Sequence, residues 1–315
     1  MKINLRLLEE PEDLKAVEDL QRQVWTGSET DIVPVHLLVA TIHNGGLVIG
    51  AYDEDEPEDR RLVGFVFGFP GIYTTPDGPR PKHHSHMLGV HPSYRDQGIG
   101  FMLKRAQWQM VRHQGLDRIT WTFDPLLSRN AHLNITRLGA VCSTYLRSVY
   151  GELRDGTNAG LPSDRFLLDW WVNSERVNRR LSRRARPPLD LAHFLAAGAE
   201  VLNPTHIEGG MSASGNSAGG EFPGGGFARP GEYIPGESDP DPEEQVILLV
   251  EIPADFPSLK AADAELAIAW RMHVREVFES LFQGGYLVTD FVHLSGKHPR
   301  SFYVLSYGES TLPLI

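Results

Sequence analysis

The stretch Leu88-Gly89-Val90-His91-Pro92-Ser93-Tyr94-Arg95-Asp96-Gln97-Gly98-Ile99-Gly100 decides how the chain is read. The residues from about Lys82 to Val90 read as a strand. The repeat Ile99, Leu103, Ala106, Met110 sets a helix after the glycines, with Gly115 as its stop. Strand, then Arg95-x-x-Gly98-x-Gly100, then helix is an arrangement that captures an anion. Glycine lets backbone come close to a ligand, and the free N–H groups of a helix N-terminus point at it. Arg95 adds a positive charge, so a pyrophosphate fits the turn. A lone Gly-x-Gly also occurs in turns that bind nothing, so the flanking elements carry the argument. A dinucleotide site of the Rossmann kind fits less well, because the glycines are spaced differently and the strand ends several residues earlier.

Around this stretch the first 175 residues alternate strands and helices. Ile3 to Leu8 reads as a strand, and Pro11 can open a helix with Leu14, Val17, Leu20 and Val24 on one face. A second helix runs from about Pro34 to Gly45-Gly46. Two apolar runs, Leu47 to Tyr52 and Leu62 to Phe69, flank an acidic hairpin loop at residues 53–59. After the central helix, Ile119 to Phe123 reads as a strand. Ser128 caps a helix that runs to Gly139, and Val141 to Leu146 and Phe166 to Val172 close the unit. The order is β-α-α-β-β-β-α-β-α-β-β.

Composition then changes. Residues 176–186 hold six arginines, read as a solvated helix and linker, and Gly209 to Gly236 is dense in Gly, Ser and Pro. The expected division is 1–175 as one domain, 176–245 as linker and 246–315 as a small β-α-β-β extension. In that extension Val246 to Ile252, Tyr286 to His293 and Phe302 to Tyr307 read as strands. Leu259, Ala262, Leu266, Ala269, His273, Val277 and Leu281 mark one helical apolar face. Such a face needs cover: the first domain, the extension's own strands, or a second subunit in a homodimer. The β-α-β-β order repeats that of residues 118–172, but the junctions Leu138-Gly139-Ala140-Val141 and Gln283-Gly284-Gly285-Tyr286 are only loosely alike. Coincidence is preferred to duplication.

The chain of 315 residues is 41% hydrophobic and 23% charged, ordinary values for a globular protein. Its net charge of −11 disfavours nucleic acid and anionic membranes as partners, so an anionic ligand needs a local electropositive site. No apolar run reaches the roughly 18 residues of a membrane span. The start of the chain lacks the pattern of a secretory signal. One cysteine, Cys142, excludes an internal disulfide and a Cys-based zinc cluster, and no metal is expected. Together these point to the cytoplasm.

The string Leu88 to Gly100 resembles the acetyl-CoA motif of GNAT acyltransferases, and the element order of residues 1–175 agrees with theirs. The resemblance implies a mixed α/β GNAT fold with a splayed central sheet and an acyl-CoA-dependent N-acyltransferase activity. It implies that the backbone of Leu88, Gly89 and Val90 holds the pantetheine arm. The amides of Arg95, Asp96, Gln97, Gly98, Ile99 and Gly100 would hold the pyrophosphate, with Ser128 or Asn130 near the far end of the arm. Acetyl-CoA or another acyl-CoA, with a succinyl donor as one case, is the implied co-substrate.

Before the motif stands His83-His84-Ser85-His86, and positions 84 and 86 share a strand face. In the GNAT relative serotonin N-acetyltransferase a His-x-His pair stands in the same register and serves proton removal from the amine. An alkylammonium, with a pKa near about 10.4, attacks only after losing its proton, so His84 and His86 are the candidate bases. Three surface or structural histidines, or an incidental metal site, are the competing reading. One departure from the family is Ile135, which occupies the place where many relatives carry a tyrosine acid for the leaving thiolate. Tyr145 and Tyr150 stand beyond that helix as substitutes, and Arg147 and Arg165 as acceptor-pocket candidates. The segment from Asp124 through Gly151, with Leu161-Pro162-Ser163-Asp164-Arg165 and Trp170, is similar to a GNAT branch with a C-terminal extension, some members of which have been linked to N-acylation, including N-succinylation, of amino acids. A small amine or amino acid is therefore the expected acceptor. A protein N-acetyltransferase and a non-catalytic acyl-CoA-binding regulatory module are the alternatives.

Overall fold

The computed structural model of the protein describes residues 2–25, 29–57, 61–151, 160–182, 187–206, 227–239 and 246–308. Along the chain come β1 (Ile3–Leu7), α1 (Pro11–Val24), α2 (Val35–His43), β2 (Leu47–Asp53), β3 (Leu62–Thr75), β4 (Gly78–Val90), α3 (Ile99–His113), β5 (Arg118–Phe123), α4 (Ser128–Ala131), β6 (Val141–Leu146) and β7 (Arg165–Trp171). This mixed α/β order is the one expected for the first 175 residues. There follow α5 (Glu175–Leu181), α6 (Leu191–Ala196), β8 (Glu200–Val201), β9 (Leu248–Ile252), α7 (Phe256–Ala262), α8 (Ala264–Gln283), β10 (Tyr286–Leu294) and β11 (Arg300–Tyr307).

The described residues gather into two compact units, one from residues 2–121 with Asp169–Asn173, the other from residues 122–151 with Gly160–Leu168 and the described part of 174–308. These divisions differ from breaks at 175 and 245. Strands β5 and β7 each contribute to both units, and the stretch read as linker holds α5, α6 and β8.

In the first unit the strand order is β1-β2-β3-β4-β5-β7. Strands β1 to β4 pair antiparallel with their sequence neighbours, while β4 and β5 run parallel. Helix α1 opens with Pro11 in its first turn beside Glu12 and Asp13, which favours the positive end of the helix dipole. Its stripe of Leu14, Val17 and Leu20 packs with Leu38, Val48, Phe65 and Phe67 in one core cluster. Gln21 ties the following segment down by exchanging two hydrogen bonds with the Val33 backbone, at 3.0 and 2.8 Å. Gly64, one residue from Phe65, presents the other sheet face to α3. A Cβ there would lie 3.1 Å from Ile99 and 3.2 Å from Leu103. Strand β3 and β4 are longer than expected and form one hairpin from Thr75↔Gly78 to Gly64↔Val90.

The second unit has the order β5-β7-β6-β10-β11-β9-β8. Here β6 meets β10 antiparallel at Cys142↔Val288, and β11 pairs with both β10 and β9. In each of the sets β5, β6, β7 and β9, β10, β11 the last strand lies between the first two, so the repeated element order extends to strand placement. A ring cluster fills the interior: Phe166 contacts Phe278 at 4.7 Å, Tyr303 at 5.4 Å and Phe282 at 5.6 Å between centroids. Such pairs add about 0.5–1.5 kcal/mol each beyond the area they bury.

Three expectations need correction here. The helix read as continuous from Leu259 is two: Asp263 interrupts it and caps α8, accepting from the Leu266 N–H at 2.9 Å. Ala262 and Ala269 consequently lie exposed, while Trp270, Arg271, Val274 and Phe278 join the buried face, covered within this unit by α7, β6 and β10. The arginines of α5 are not all solvated. Arg176 donates to the carbonyls of Gly139 (2.9 Å) and Thr289, and Arg180 pairs with Asp290 at 2.5 Å; Arg183, Arg184 and Arg186 lie outside the described residues. In the Gly/Ser/Pro-rich stretch, residues 207–226 also lie outside them. Near Phe227 the chain is anchored again: the Ala228 carbonyl accepts from the Trp270 indole at 3.1 Å, and Arg229 bridges His206.

Candidate active site

The site grows from one irregularity in β4. Its register against β3 pairs Phe67 with Met87 and Gly68 with Ser85, so His86 is the extra residue of a β-bulge. Before the bulge His84 and His86 share a face; after it, Gly89 comes to that face, where a Cβ would lie 2.8 Å from Phe65 and 3.1 Å from Trp25. Glycine at 89 is thus required by packing. His84 and His86 stand 6.2 Å apart between ring centroids, against Phe69 (5.3 and 5.6 Å) and, for His86, Phe67 (5.8 Å). His84 Nδ1 is 3.3 Å from the Thr120 hydroxyl on β5. Burial pushes the His84 imidazole down to about 4, with His86 and two lysines adding repulsion, and burial lowers His86 as well. Both are therefore neutral at pH 7, the form that accepts a proton. His86 keeps an exposed side.

The opposite face of β4 is sealed. His83 and Ser85 point into a buried polar network: Lys104 donates to Ser85 Oγ (2.9 Å) and Gln107 Oε1 (3.0 Å), and Gln107 reaches His83 Nε2 at 3.2 Å. The Lys104 ammonium lies 3.7 Å from the Trp121 ring centre, and burial holds its pKa well below the usual lysine range. This network ties β4 to α3 from behind the histidine face. Thr120, Lys104 and Gln107 were not expected from sequence, since their roles depend on which strand and helix lie alongside β4.

Next to the bulge the sheet opens. Strands β4 and β5 pair only at His83↔Ile119 and His84↔Thr120. From Ser85 to Val90 β4 has no strand partner on its β5 side; since the His91 N–H donates to the Val63 carbonyl, alternation gives the Gly89 backbone to Phe65 of β3 and turns the backbone groups of Leu88 and Val90 to the open edge. The strand leads into a short turn, Pro92–Tyr94, capped when His91 Nδ1 accepts from the Ser93 N–H at 3.3 Å. Asp96 (φ 64°) and Gly98 (φ 80°) then take left-handed backbone and aim the chain into α3. The space where a Gly98 Cβ would stand is open. The first amides of α3, at Ile99 and Gly100, have no acceptor within the helix. Arg95 lies exposed beside this turn, its guanidinium 3.4 Å from the Val90 and Val24 carbonyls, and Gln97 donates to the Ser93 carbonyl at 3.2 Å. Phosphate chemistry fits the donor set: amides, an arginine and no carboxylate but Asp96.

Ser128 and Asn130 belong to the second unit. Ser128 does not cap its helix, whose N-cap is Leu127. Its hydroxyl is instead buried against Ser301 Oγ at 2.7 Å. Asn130 is half-buried on the next turn. The helix continues as a π-helical stretch, His132–Arg137, in which Ile135 is fully buried. Tyr145 donates to Asp164 at 2.9 Å, and burial and that carboxylate raise its pKa further from use as an acid. Tyr150 is half-exposed, its hydroxyl 2.7 Å from that of Thr122. Arg147 pairs with Glu279, and Arg165 is buried on the Asp164 carbonyl at 2.8 Å, with Asp124 at 3.8 Å. Among the described residues no group of three or more His, Cys, Asp or Glu side chains could hold a metal ion, and no helix is long and apolar enough to cross a membrane.

Residues 14–139 match the model of the Acetyltransferase (GNAT) family. No curated protein matches the chain. Among solved structures it is similar to NAA60 of Arabidopsis thaliana in complex with acetyl-CoA, at 18% identity and a TM-score of 0.43 over 54% of this chain and 99% of that one. It is also similar to the ribosomal-protein-S18-alanine N-acetyltransferase of Escherichia coli, at 14% identity and a TM-score of 0.40 over 54% and 94%. A third is a GNAT-family acetyltransferase of Streptococcus pneumoniae, at 15% identity and a TM-score of 0.39 over 53% and 98%.

Proposed function

We propose, from the match of residues 14–139 to the acetyltransferase (GNAT) family model and from the geometry around β4, that this protein moves an acetyl or succinyl group from coenzyme A to the nitrogen of a small amine, an amino acid included. The observation that carries the reading is the open edge of β4 between a bulge that bears His86 and the turn that leads, through Gly98, into the first amides of α3. In it the amides from Arg95 through Gly100 take the pyrophosphate. The Leu88–Val90 backbone takes the pantetheine arm in the manner of an added strand.

The amine reaches the thioester as a free base and attacks its carbonyl carbon directly. The C–N bond forms, the C–S bond breaks and the thiolate leaves. A backbone N–H of β4 supports the oxyanion, and much of the acceleration comes from holding amine and thioester together. Energetics divide the two histidines. Moving a proton from an alkylammonium of pKa about 10.4 to His84, at about 4, is uphill by about 9 kcal/mol. His86, with an exposed side, faces a smaller climb and is the better acceptor, directly or through water; His84 orients it and Thr120 fixes His84. With Ile135 at the usual tyrosine place, departure relies on the low basicity of a thiolate.

The test is release of free thiol from acetyl-CoA and succinyl-CoA with primary amines, amino acids and short peptides. Small-amine-dependent release is expected. Release only with peptides would overturn the acceptor class, and no release with any amine would leave a coenzyme-binding module.

A further inference from the structure

The face of β4 that carries His84 and His86 continues toward the tip of the β3–β4 hairpin. Alternation puts Lys82 on it, two residues before His84. Register sets Phe69 opposite His84 and Gly71 opposite Lys82. With no side chain at 71 the lysine stem lies across β3: a Cβ there would stand 3.6 Å from Lys82 Cε and 3.8 Å from its Cγ. Phe69, Gly71, Lys82 and His84 are half-buried, so each keeps part of its surface open.

The charges at this end of the hairpin are unequally satisfied. Arg118 on β5 donates to Asp169 at 2.7 Å and lies over the rings of Tyr73 (4.4 Å) and Trp171 (5.0 Å). Arg80 and Asp77 stand 3.7 Å apart near the hairpin tip. Lys82 has no hydrogen-bond or ion-pair partner among the described residues. The charges that act on it are Arg118 and Asp169, a pair already matched to each other, and burial lowers its pKa. Asp117 accepts from the Tyr73 hydroxyl at 3.5 Å and has no ion-pair partner either. It stands farther from the histidines, three residues before Thr120, the residue level with His84, and Arg118 comes between. A molecule lying on His84 along this face therefore meets an unmatched ammonium first. His84 already feels that charge, which helps to lower its own pKa.

We propose that Lys82 selects the acceptor. The amine of the substrate sits at His84 and His86, a carboxylate on the same molecule takes the Lys82 ammonium, and the carbon between them lies on Phe69. This rests on the acyl-transfer reading and narrows its acceptor to amines that carry a carboxylate. Residues two apart on a strand are separated by about 6.6 Å, the scale of a small amino acid. A plain alkylamine leaves the ammonium unanswered, and a diamine sets a second cation against it.

The experiment pairs turnover with binding on the full chain, using 4-aminobutanoate, propylamine (the same chain without the carboxylate) and 1,4-diaminobutane. Ratios are compared between variant and wild type, so differences in amine basicity cancel. With acetyl-CoA, the kcat/KM ratio of 4-aminobutanoate to propylamine should fall about tenfold in Lys82→Gln, carried mainly by KM. Lys82→Glu should reverse the order of 4-aminobutanoate and 1,4-diaminobutane. Lys82 has no partner to lose, so neither change costs the fold an ion pair. Calorimetric titration with coenzyme A bound should give 4-aminobutanoate about tenfold weaker in Lys82→Gln than in wild type. An unchanged ratio in Lys82→Gln, an unreversed order in Lys82→Glu, or a higher KM for succinyl-CoA with none for the acceptor would overturn the proposal. Lys82-dependent binding of 4-aminobutanoate without thiol release from any amine would support the anchor and count against acyl transfer alone.

Discussion

Acidification from pH 7 to pH 5 should destabilise this protein far more than its carboxylates alone would. His83 is fully buried and its pKa is pushed down to about 3; His84 and His273 are pushed down to about 4. In the unfolded chain all three return to about 6.5, so below that pH the unfolded state binds protons that the folded state refuses. The sign follows: stability is complete above pH 6.5 and is lost as pH falls toward 4. At pH 5 each histidine has cost about 2 kcal/mol relative to pH 7, and the three together about 5–6 kcal/mol. That is comparable with the whole stability of many domains, about 5–15 kcal/mol. Asp169, whose carboxyl burial pushes up, works weakly in the other direction. The assay is urea unfolding at pH 7, 6 and 5, with circular dichroism for the backbone and tryptophan emission for packing. His83→Gln keeps a group able to meet Gln107 while removing one titration, and should recover about 2 kcal/mol of the acid loss. A urea midpoint equal at pH 7 and 5, or an acid loss of the same size in the His83→Gln protein, would refute the reasoning.

Because His84 and His86 are both lowered, kcat/KM should rise about tenfold per pH unit from pH 6 toward the amine's own pKa, with no inflection near 6.5. His86→Ala with His84→Ala should lower that limb by about 10²-fold or more while acyl-CoA affinity stays constant; a wild-type profile in the double variant makes the histidines structural. Coenzyme A should raise the thermal midpoint, and Gly98→Glu should abolish the rise, since it forces a side chain into left-handed backbone and puts negative charge at the amide turn. A persistent rise in that variant removes the site from the turn. Residues 1–175 expressed alone should aggregate, because Phe166 loses Phe278 and Tyr303, Asp124 loses Arg271 and Ser128 loses Ser301. A soluble monomer that still turns over acyl-CoA counts against this.

Element order was legible because apolar periodicity and turn residues are local signals. The length of the β3–β4 hairpin was not, since Pro70, Pro79 and Pro81 interrupt the alternation. Residues 78–82 of β4 have no partner on the β5 side, where a missing N–H costs nothing. The glycine turn and the His84/His86 spacing could be read directly, but the bulge at His86 is set by register against β3. Arg176 and Arg180 looked solvated because their partners, the Gly139 and Thr289 carbonyls and Asp290, are distant in sequence. Ser128 has the chemistry of a cap, yet Ser301, 173 residues away, claims its hydroxyl. Asp263 did carry a signal, a capping residue within an apolar repeat, and it was outweighed by that repeat.

The matched strand sets of the second unit, joined edge to edge at Cys142 and Val288, have a consequence for dilution. Two separate chains meeting along such an edge would come apart as concentration falls, and their melting temperature would follow concentration. Carried on one chain, the two edges see each other at an effective concentration on the order of millimolar whatever the amount of protein present. The seam then persists at the lowest expression level. Each set is also free to change its side chains without matching a copy of itself, so a residue such as Trp270 needs no counterpart on the other side.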